Sequence, residues 1–148
     1  MKIFLGADHN GFKLKEEIKK YLKNEKIDFK DLGNFIFEPE DDYPDFAFLV
    51  AKNVAKKNGR GILICGSGEG MVIAANKIKK IRAAVAYNAR QVKIFRRDNN
   101  INILCLAAWE TNFKKAKEMI KAFLETKFSA LSRHKRRLQK IRKIEKSF

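Results

Sequence analysis

Short apolar runs alternate along the chain with longer stretches whose hydrophobic residues recur every three or four positions. Residues 1–7 read as a first strand, with Asp8-His9-Asn10-Gly11 as the loop at its C-terminal end. Leu14, Ile18, Tyr21 and Leu22 then fall at helical spacing on a lysine-rich segment. A second strand is predicted at about residues 27–32, followed by a loop over 33–42. Tyr43-Pro44 suits the start of a helix, and Phe46, Ala47, Val50, Ala51 and Val54 supply its apolar stripe up to Gly59. Residues 61–65 form the third strand, and a third helix begins at Met71 and reaches Lys77. The pattern continues with a strand at 82–87, a short helix at 89–95 and a fifth strand at 101–107. A helix carrying Phe113, Ala116, Met119, Ile120 and Phe123 follows, then a basic helix over 131–144.

Strands alternating with helices predict an α/β fold, a doubly wound parallel sheet with helices on both faces. In such sheets ligands bind beyond the C-terminal ends of the strands. That edge is expected to gather Asp8, His9, the run from Cys65 to Gly70, the loop near Asp98-Asn99, and Trp109. The terminal helix carries Leu138, Ile141 and Ile144 at spacings suited to docking on another surface, which a detached tail would not need.

A length of 148 residues with 45% hydrophobic content suits one domain spanning 1–148. Cys65 and Cys105 both lie inside apolar runs, so neither a disulfide framework nor a metal cluster is expected. The one short apolar run near the start, Ile3-Phe4-Leu5, is broken by Gly6 and Asp8, so a soluble cytoplasmic protein is expected, with no membrane partner. The net charge of +16 raises the question of nucleic acid. From residue 133 onward eight Lys or Arg stand against Glu145 alone, and the remaining excess is spread along helix faces such as Lys13, Lys15, Lys19, Lys20 and Lys23. That distribution reads as solvated surface, and without an RNA-binding aromatic signature it argues against a nucleic-acid partner.

The densest chemistry lies in Cys65-Gly66-Ser67-Gly68-Glu69-Gly70-Met71, where a strand runs through a tight loop into a helix. Glycines let consecutive backbone N–H groups converge on one anion, and the helix start adds its dipole. The same field is expected to lower the pKa of Cys65 and make it a better base or nucleophile. On chemistry alone, a buried strand cysteine beside a structural turn explains the stretch equally well. It is not the dinucleotide fingerprint, because Gly66, Gly68 and Gly70 alternate where that pattern needs two residues before its last glycine.

Cys-Gly-Ser-Gly-Glu-Gly-Met over residues 65–71, followed by Ile73-Ala-Ala-Asn-Lys77, resembles the signature of the type B ribose-5-phosphate isomerases. The wider family includes galactose-6-phosphate isomerase subunits. Gly6-Ala7-Asp8-His9, Asp42-Tyr43-Pro44, Asn99-Asn100, Asn102-Ile103-Leu104 and Arg133-His134 with Arg137 match in the family's order, so the resemblance covers nearly the whole chain. It implies a three-layer α/β/α fold with a five-stranded Rossmann-like sheet, and a C-terminal helix that docks on a neighbouring subunit. The implied activity is cofactor-free, metal-free aldose–ketose isomerisation, most simply of ribose 5-phosphate. Isomerisation of a six-carbon aldose 6-phosphate, and a weakly active binding homologue or partner subunit, stand as alternatives.

By this resemblance Cys65 is the base, Ser67 assists proton transfer at the hydroxyls, and backbone N–H groups of Gly66, Ser67, Gly68, Glu69 and Gly70 form the anion hole. Glu69 itself has no catalytic part. Asp8 and Asn99 hold sugar hydroxyls, Tyr43 borders the pocket, and His9, Arg133 and Arg137 contact the ligand, the arginines reaching into the neighbour's site in a dimer or tetramer. Two positions depart from the family. Asp98 stands where relatives usually carry the histidine that opens the sugar ring, and it is counted a catalytic residue there, since an Asp serves as acid and base if burial raises its pKa against the pull of Arg96 and Arg97. Trp109 stands where they usually carry a phosphate-binding arginine, which an indole cannot replace.

Overall fold

The computed structural model describes residues 1–147. Its elements are β1 (Ile3–Ala7), α1 (Phe12–Asn24), β2 (Phe29–Asp31), α2 (Tyr43–Lys57), β3 (Arg60–Cys65), α3 (Glu69–Ala75), β4 (Ala83–Val85), α4 (Ala89–Asn99), β5 (Ile103–Ala107), α5 (Phe113–Glu125) and α6 (Ser132–Lys146). The strands form one parallel sheet in the order β2-β1-β3-β5-β4. This is the predicted doubly wound, three-layer α/β architecture.

The central strands are apolar on both faces because both faces are covered. Ile3, Leu5, Ile62, Ile64, Leu104 and Leu106 point toward Leu14, Ile18 and Leu22 of α1 and Met119, Ile120 and Phe123 of α5. The alternate positions Phe4, Leu63, Cys65, Ile103 and Cys105 point toward Val50 and Val54 of α2 and Met71 of α3. No helix among the described residues is long and apolar enough to cross a membrane.

Boundaries differ from the sequence expectation at the sheet edges. β2 and β4 each pair on one side only, so they shorten to three residues. α4 runs four residues past 95, through Arg96-Arg97-Asp98-Asn99, before Asn100 closes it at φ 49°. That polar run hides the helix from a hydrophobic pattern, because its inward position is held by an arginine. The buried Arg96 guanidinium binds the carbonyl of Ile101, the Asn100 side chain and the Thr126 carbonyl. Asn76, just after α3, exchanges two 2.9 Å hydrogen bonds with the backbone of Ala83 and so ties the helix end to β4.

In α6, His134 and Leu138 are buried against the chain's own body, whereas Ile141 and Ile144 remain exposed. Its first turn lies near the end of α4, and Glu145 accepts the Lys80 N–H just ahead of β4. Both contacts are on the N-terminal edge of the sheet.

Lys15 is a fully buried charge. Its Nζ lies 2.6 Å from Asp31 Oδ2 and 3.1 Å from Glu16 Oε1. Burial alone would raise the Asp31 pKa, but hydrogen bonds from Lys15, Lys19 and the Gly33 N–H outweigh it and leave the carboxyl below its ordinary range. A depressed carboxyl stabilises the fold above its unfolded pKa and loses that contribution as pH falls through the folded value. Asp31→Asn is therefore expected to cost about 3 kcal/mol at pH 7, since it leaves a buried ammonium short of its partner. Urea melts of both proteins should show that gap narrowing below about pH 4.

Candidate active site

Strand order reverses between β1 and β3, so the loops leaving these two strands diverge to opposite faces and open a crevice. Asp8 and His9 leave β1, and Gly66 to Gly68 leave β3. The chain is drawn close here: Asp8 N–H bonds to Ile64 O at 3.2 Å, and a side chain at Gly11 would run into the Ile64 carbonyl. Asp8 is buried, accepts the Gly11 N–H at 3.1 Å, and acts on Cys65 as a negative neighbour. Burial first, then proximity to Asp41, raises its pKa against the Gly11 hydrogen bond and the His9 ring.

Cys65 ends β3 with its thiol buried. Gly68 adopts φ 76°, a conformation that frees its N–H to point back at Cys65 Sγ at 3.2 Å, and the N–H groups of Met71 and Ser67 also favour a thiolate there. The net pKa shift is nevertheless upward, which corrects the expectation of a lowered value. Burial is the largest cause, Asp8 adds to it, and the backbone groups offset only part. The helix that follows is seven residues long, so its dipole is short as well.

Ser67 is exposed and its Oγ accepts the Glu69 N–H at 3.3 Å, while Glu69 opens α3 with its side chain in solvent. Part of the backbone expected to form an anion hole is thus engaged, Gly68 with sulfur and Glu69 with Ser67. Two aromatic rings wall the loop. A Cβ at Gly66 would fall within the Trp109 indole, and one at Gly70 would lie 2.8 Å from the Tyr43 ring. The Trp109 backbone N–H binds the Gly66 carbonyl at 3.0 Å, and the residue is 70% exposed.

Next to Asp8 in the chain, His9 is held by a residue that the sequence did not single out. Asp41 Oδ1 accepts the His9 N–H at 2.9 Å and lies 2.8 Å from His9 Nδ1. Acids crowd that loop at Glu38, Glu40, Asp41 and Asp42, and nothing in the pattern marks which one turns inward. Asp8, His9 and Asp41 offer donor atoms within 4.8 Å of one another. The two carboxylates accept from the N–H groups of Gly11, His9 and Asn34, so hydrogen bonding is enough to hold the cluster together.

The remaining expected site residues lie elsewhere. Asp98 and Asn99 finish α4, and a helix running antiparallel to the strands ends at the N-terminal edge of the sheet. The expectation that they share the Cys65 edge is therefore corrected for a single chain. Arg97 Nε binds Asp98 Oδ1 at 2.6 Å, and His134 Nε2 is 4.0 Å from the same oxygen. Arg97 first, then His134 and Arg133, hold the Asp98 pKa below its ordinary range despite partial burial. Arg133 and Arg137 stand four residues apart on α6, both exposed. One chain thus carries two groups, Asp8, His9, Tyr43, Cys65 and the glycine loop on one edge, and Asp98, Asn99, Arg133 and Arg137 on the other.

The Cys65 thiol should be alkylated slowly at pH 7 and faster as pH rises beyond the ordinary thiol range. Peptide mass spectrometry after iodoacetamide should find the adduct at Cys65, with the fully buried Cys105 unmodified. Asp8→Asn should speed alkylation several-fold at neutral pH by removing the negative neighbour.

Residues 3–141 match the family model described as Ribose/Galactose Isomerase. A probable ribose-5-phosphate isomerase B of Mycoplasma genitalium is 40% identical over 146 residues, covering 97% of this chain and 95% of its own length. The crystal structure of ribose-5-phosphate isomerase B from that organism with bound ribulose-5-phosphate superposes with a TM-score of 0.95, covering 99% of this chain and 97% of that one. A Clostridium thermocellum ribose-5-phosphate isomerase B gives the same TM-score at 40% identity, over 99% of both chains. The family model spans residues 3–141 and these relatives cover nearly all of the chain, which belongs to the ribose/galactose isomerase family.

Proposed function

We propose that this protein interconverts ribose 5-phosphate and ribulose 5-phosphate as a cytoplasmic enzyme, residues 1–148 acting as one isomerase domain without metal or cofactor. The observation that carries the reading is the Cys65 thiol at the strand-order switch, wrapped by the N–H groups of its own glycine loop and beside Asp8, which is followed in the chain by His9. It is supported by the fold of the Mycoplasma genitalium enzyme, which was crystallised with ribulose-5-phosphate.

Isomerisation needs a base at C2, a route for a hydroxyl proton, and a grip on phosphate. Cys65 reacts from its thiolate form, the thiol proton having been lost to solvent, and takes the C2 proton. The double bond moves from C1–O1 through an enediolate to C2–O2, C1 receives a proton from Cys65, and the O2 proton passes to O1 with Ser67 assisting. A thiolate formed in this pocket is stabilised by the N–H groups of Gly68, Met71 and Ser67, although the resting thiol is held protonated by burial. Asp8 holds a sugar hydroxyl, His9 meets the anionic end, and the Tyr43 and Trp109 rings bound the pocket. The indole over Gly66 takes room that a longer sugar would need, which favours five carbons over six.

The other edge serves a second copy. Arg133 and Arg137 grip the neighbour's phosphate and Asn99 its hydroxyls, in a homodimer or a tetramer built of such pairs, with the exposed Ile141 and Ile144 of α6 docking there. Asp98 reaches the same sugar. Held ionised by Arg97, it accepts the anomeric hydroxyl proton better than it donates one to the ring oxygen.

Purified protein should isomerise ribose 5-phosphate, and Cys65→Ala should lower kcat/KM by about 10²–10⁴-fold. Phosphate binding, followed through the emission of Trp109, the chain's one tryptophan, should persist in that variant. A fully active Cys65→Ala protein would remove the assignment of the base.

Subunit mixing tests the shared site. Cys65→Ala and Arg137→Ala proteins, each inactive alone, should recover activity when mixed and allowed to exchange, because one hybrid site is intact. Confirmed exchange without recovery means that each chain supplies its own arginine.

A further inference from the structure

The 33–42 loop leaves Glu38 and Glu40 in solvent yet turns one acid inward, so that the Asp41 side chain is only 9% exposed. Three donors meet it. Oδ1 takes the His9 backbone N–H and faces His9 Nδ1, and Oδ2 takes Asn34 Nδ2 at 2.7 Å. Asn34 is itself buried and fixed to the end of β1 by its N–H to the Ala7 carbonyl at 3.0 Å. The carboxylate is therefore immobile, and so is the His9 ring face that it holds.

With Nδ1 turned to Asp41, the ring's other nitrogen faces outward, where Asn10 Nδ2 lies 3.0 Å from Nε2. A neutral ring protonated on Nδ1 accepts from Asn10. A protonated ring presents Nε2–H as a donor, and an oxyanion can then take the place of the Asn10 amide. We propose that Asp41 is a positioning residue of the isomerase, locking the His9 imidazole so that Nε2 is aimed at the anionic end of the sugar phosphate. The nature of that anion rests on the isomerase reading; the ring's placement rests on the geometry alone.

The charges that face the ring are few. Asp41 acts from the 33–42 loop and Asp8 from the end of β1, and beyond Asp8 the titratable group on β3 is Cys65. The hydrogen bond to Asp41, joined by the charge of Asp8, lifts the His9 pKa above the ordinary imidazole value against the effect of desolvation. His9 accordingly stays cationic to higher pH, and its attraction for a phosphate dianion is lost as pH rises through that raised value. Without the Asp41 charge the same loss occurs at lower pH.

Asp41→Asn keeps the shape and removes the charge. The fold has room for it, since Asn34 Oδ1 is buried without a hydrogen-bond partner and a turn of the Asn34 amide offers that oxygen to the new donor. The chain has two histidines, so the His9 ring resonance can be assigned with His9→Gln and titrated by NMR in both proteins. The His9 midpoint is expected to fall by about one unit in Asp41→Asn, with His134 unmoved. KM for ribose 5-phosphate should rise about two- to threefold at a pH midway between the two His9 midpoints, with kcat within about twofold, as for a lost contact made equally in ground and transition states. The KM ratio should return toward one below both midpoints and above both. The substrate's own phosphate titration cancels from it, and Asp41→Glu should restore part of the affinity.

An unmoved His9 midpoint, or a variant that loses kcat at unchanged KM, overturns the proposal while leaving a Cys65-dependent isomerase intact. Should wild-type protein isomerise no aldose phosphate, the isomerase reading falls instead. The His9 midpoint and the inorganic phosphate affinity of the two proteins, read from Trp109 emission, then still decide the role of Asp41.

Discussion

The pairing of Ala7 with Ile64 at the centre of the sheet is the constraint on which the site depends. It sets the register in which Asp8 and Cys65 leave neighbouring strands at the same height, so that an acid and a thiol meet where the two connecting chains part. Parallel strands alternate their faces with a strict period of two, so a slip of one residue would turn Cys65 away from α2 and α3 and carry its glycine loop with it. The apolar residues on both faces of β1, β3 and β5 make that register costly to lose. Precision in the crevice is thus a by-product of core packing, and the polar residues need only short loops to reach their positions.

Within the crevice, burial and hydrogen bonding oppose one another at each titratable group. Cys65 and Asp8 are both pushed toward their neutral forms by lost water, with backbone N–H groups pulling the other way. At Asp31 and Asp98 the balance reverses, because each meets a cation within hydrogen-bonding distance. The distinction is chemical: a carboxylate hydrogen-bonded to an ammonium or guanidinium has its pKa lowered, whereas backbone amide dipoles offset only part of the effect of burial at Asp8 and Cys65.

Much of this arrangement is legible in the sequence because the relevant signals are local. Residues 61–71 carry strand, loop and helix start in one run, and Asp8 follows directly on an apolar strand, so fold and crevice follow from periodicity. What escapes is set by distance in the chain. Asp41 meets His9 across 32 positions and is one of several acids on an exposed loop. Arg96 occupies a helix position that a pattern of apolar residues reads as solvent, because its charge is satisfied by backbone carbonyls from two other segments. Missing the end of α4 then misplaced Asp98 and Asn99, since a four-residue error at a helix end becomes the difference between two edges of a sheet.

The protonated state of Cys65 bears on the chemistry of its surroundings. Peroxides attack thiolates, and a thiol whose ionisation is held back by burial and by Asp8 reacts with them slowly at neutral pH. The proposed proton transfer needs the sulfur anionic only for the moment of abstraction, and a base of raised pKa is a stronger one when it is ionised. In the proposed isomerisation the pocket that holds the base also keeps its sulfur from sulfenic acid between turnovers, so resistance to oxidation and a strongly basic thiolate come from one desolvated site.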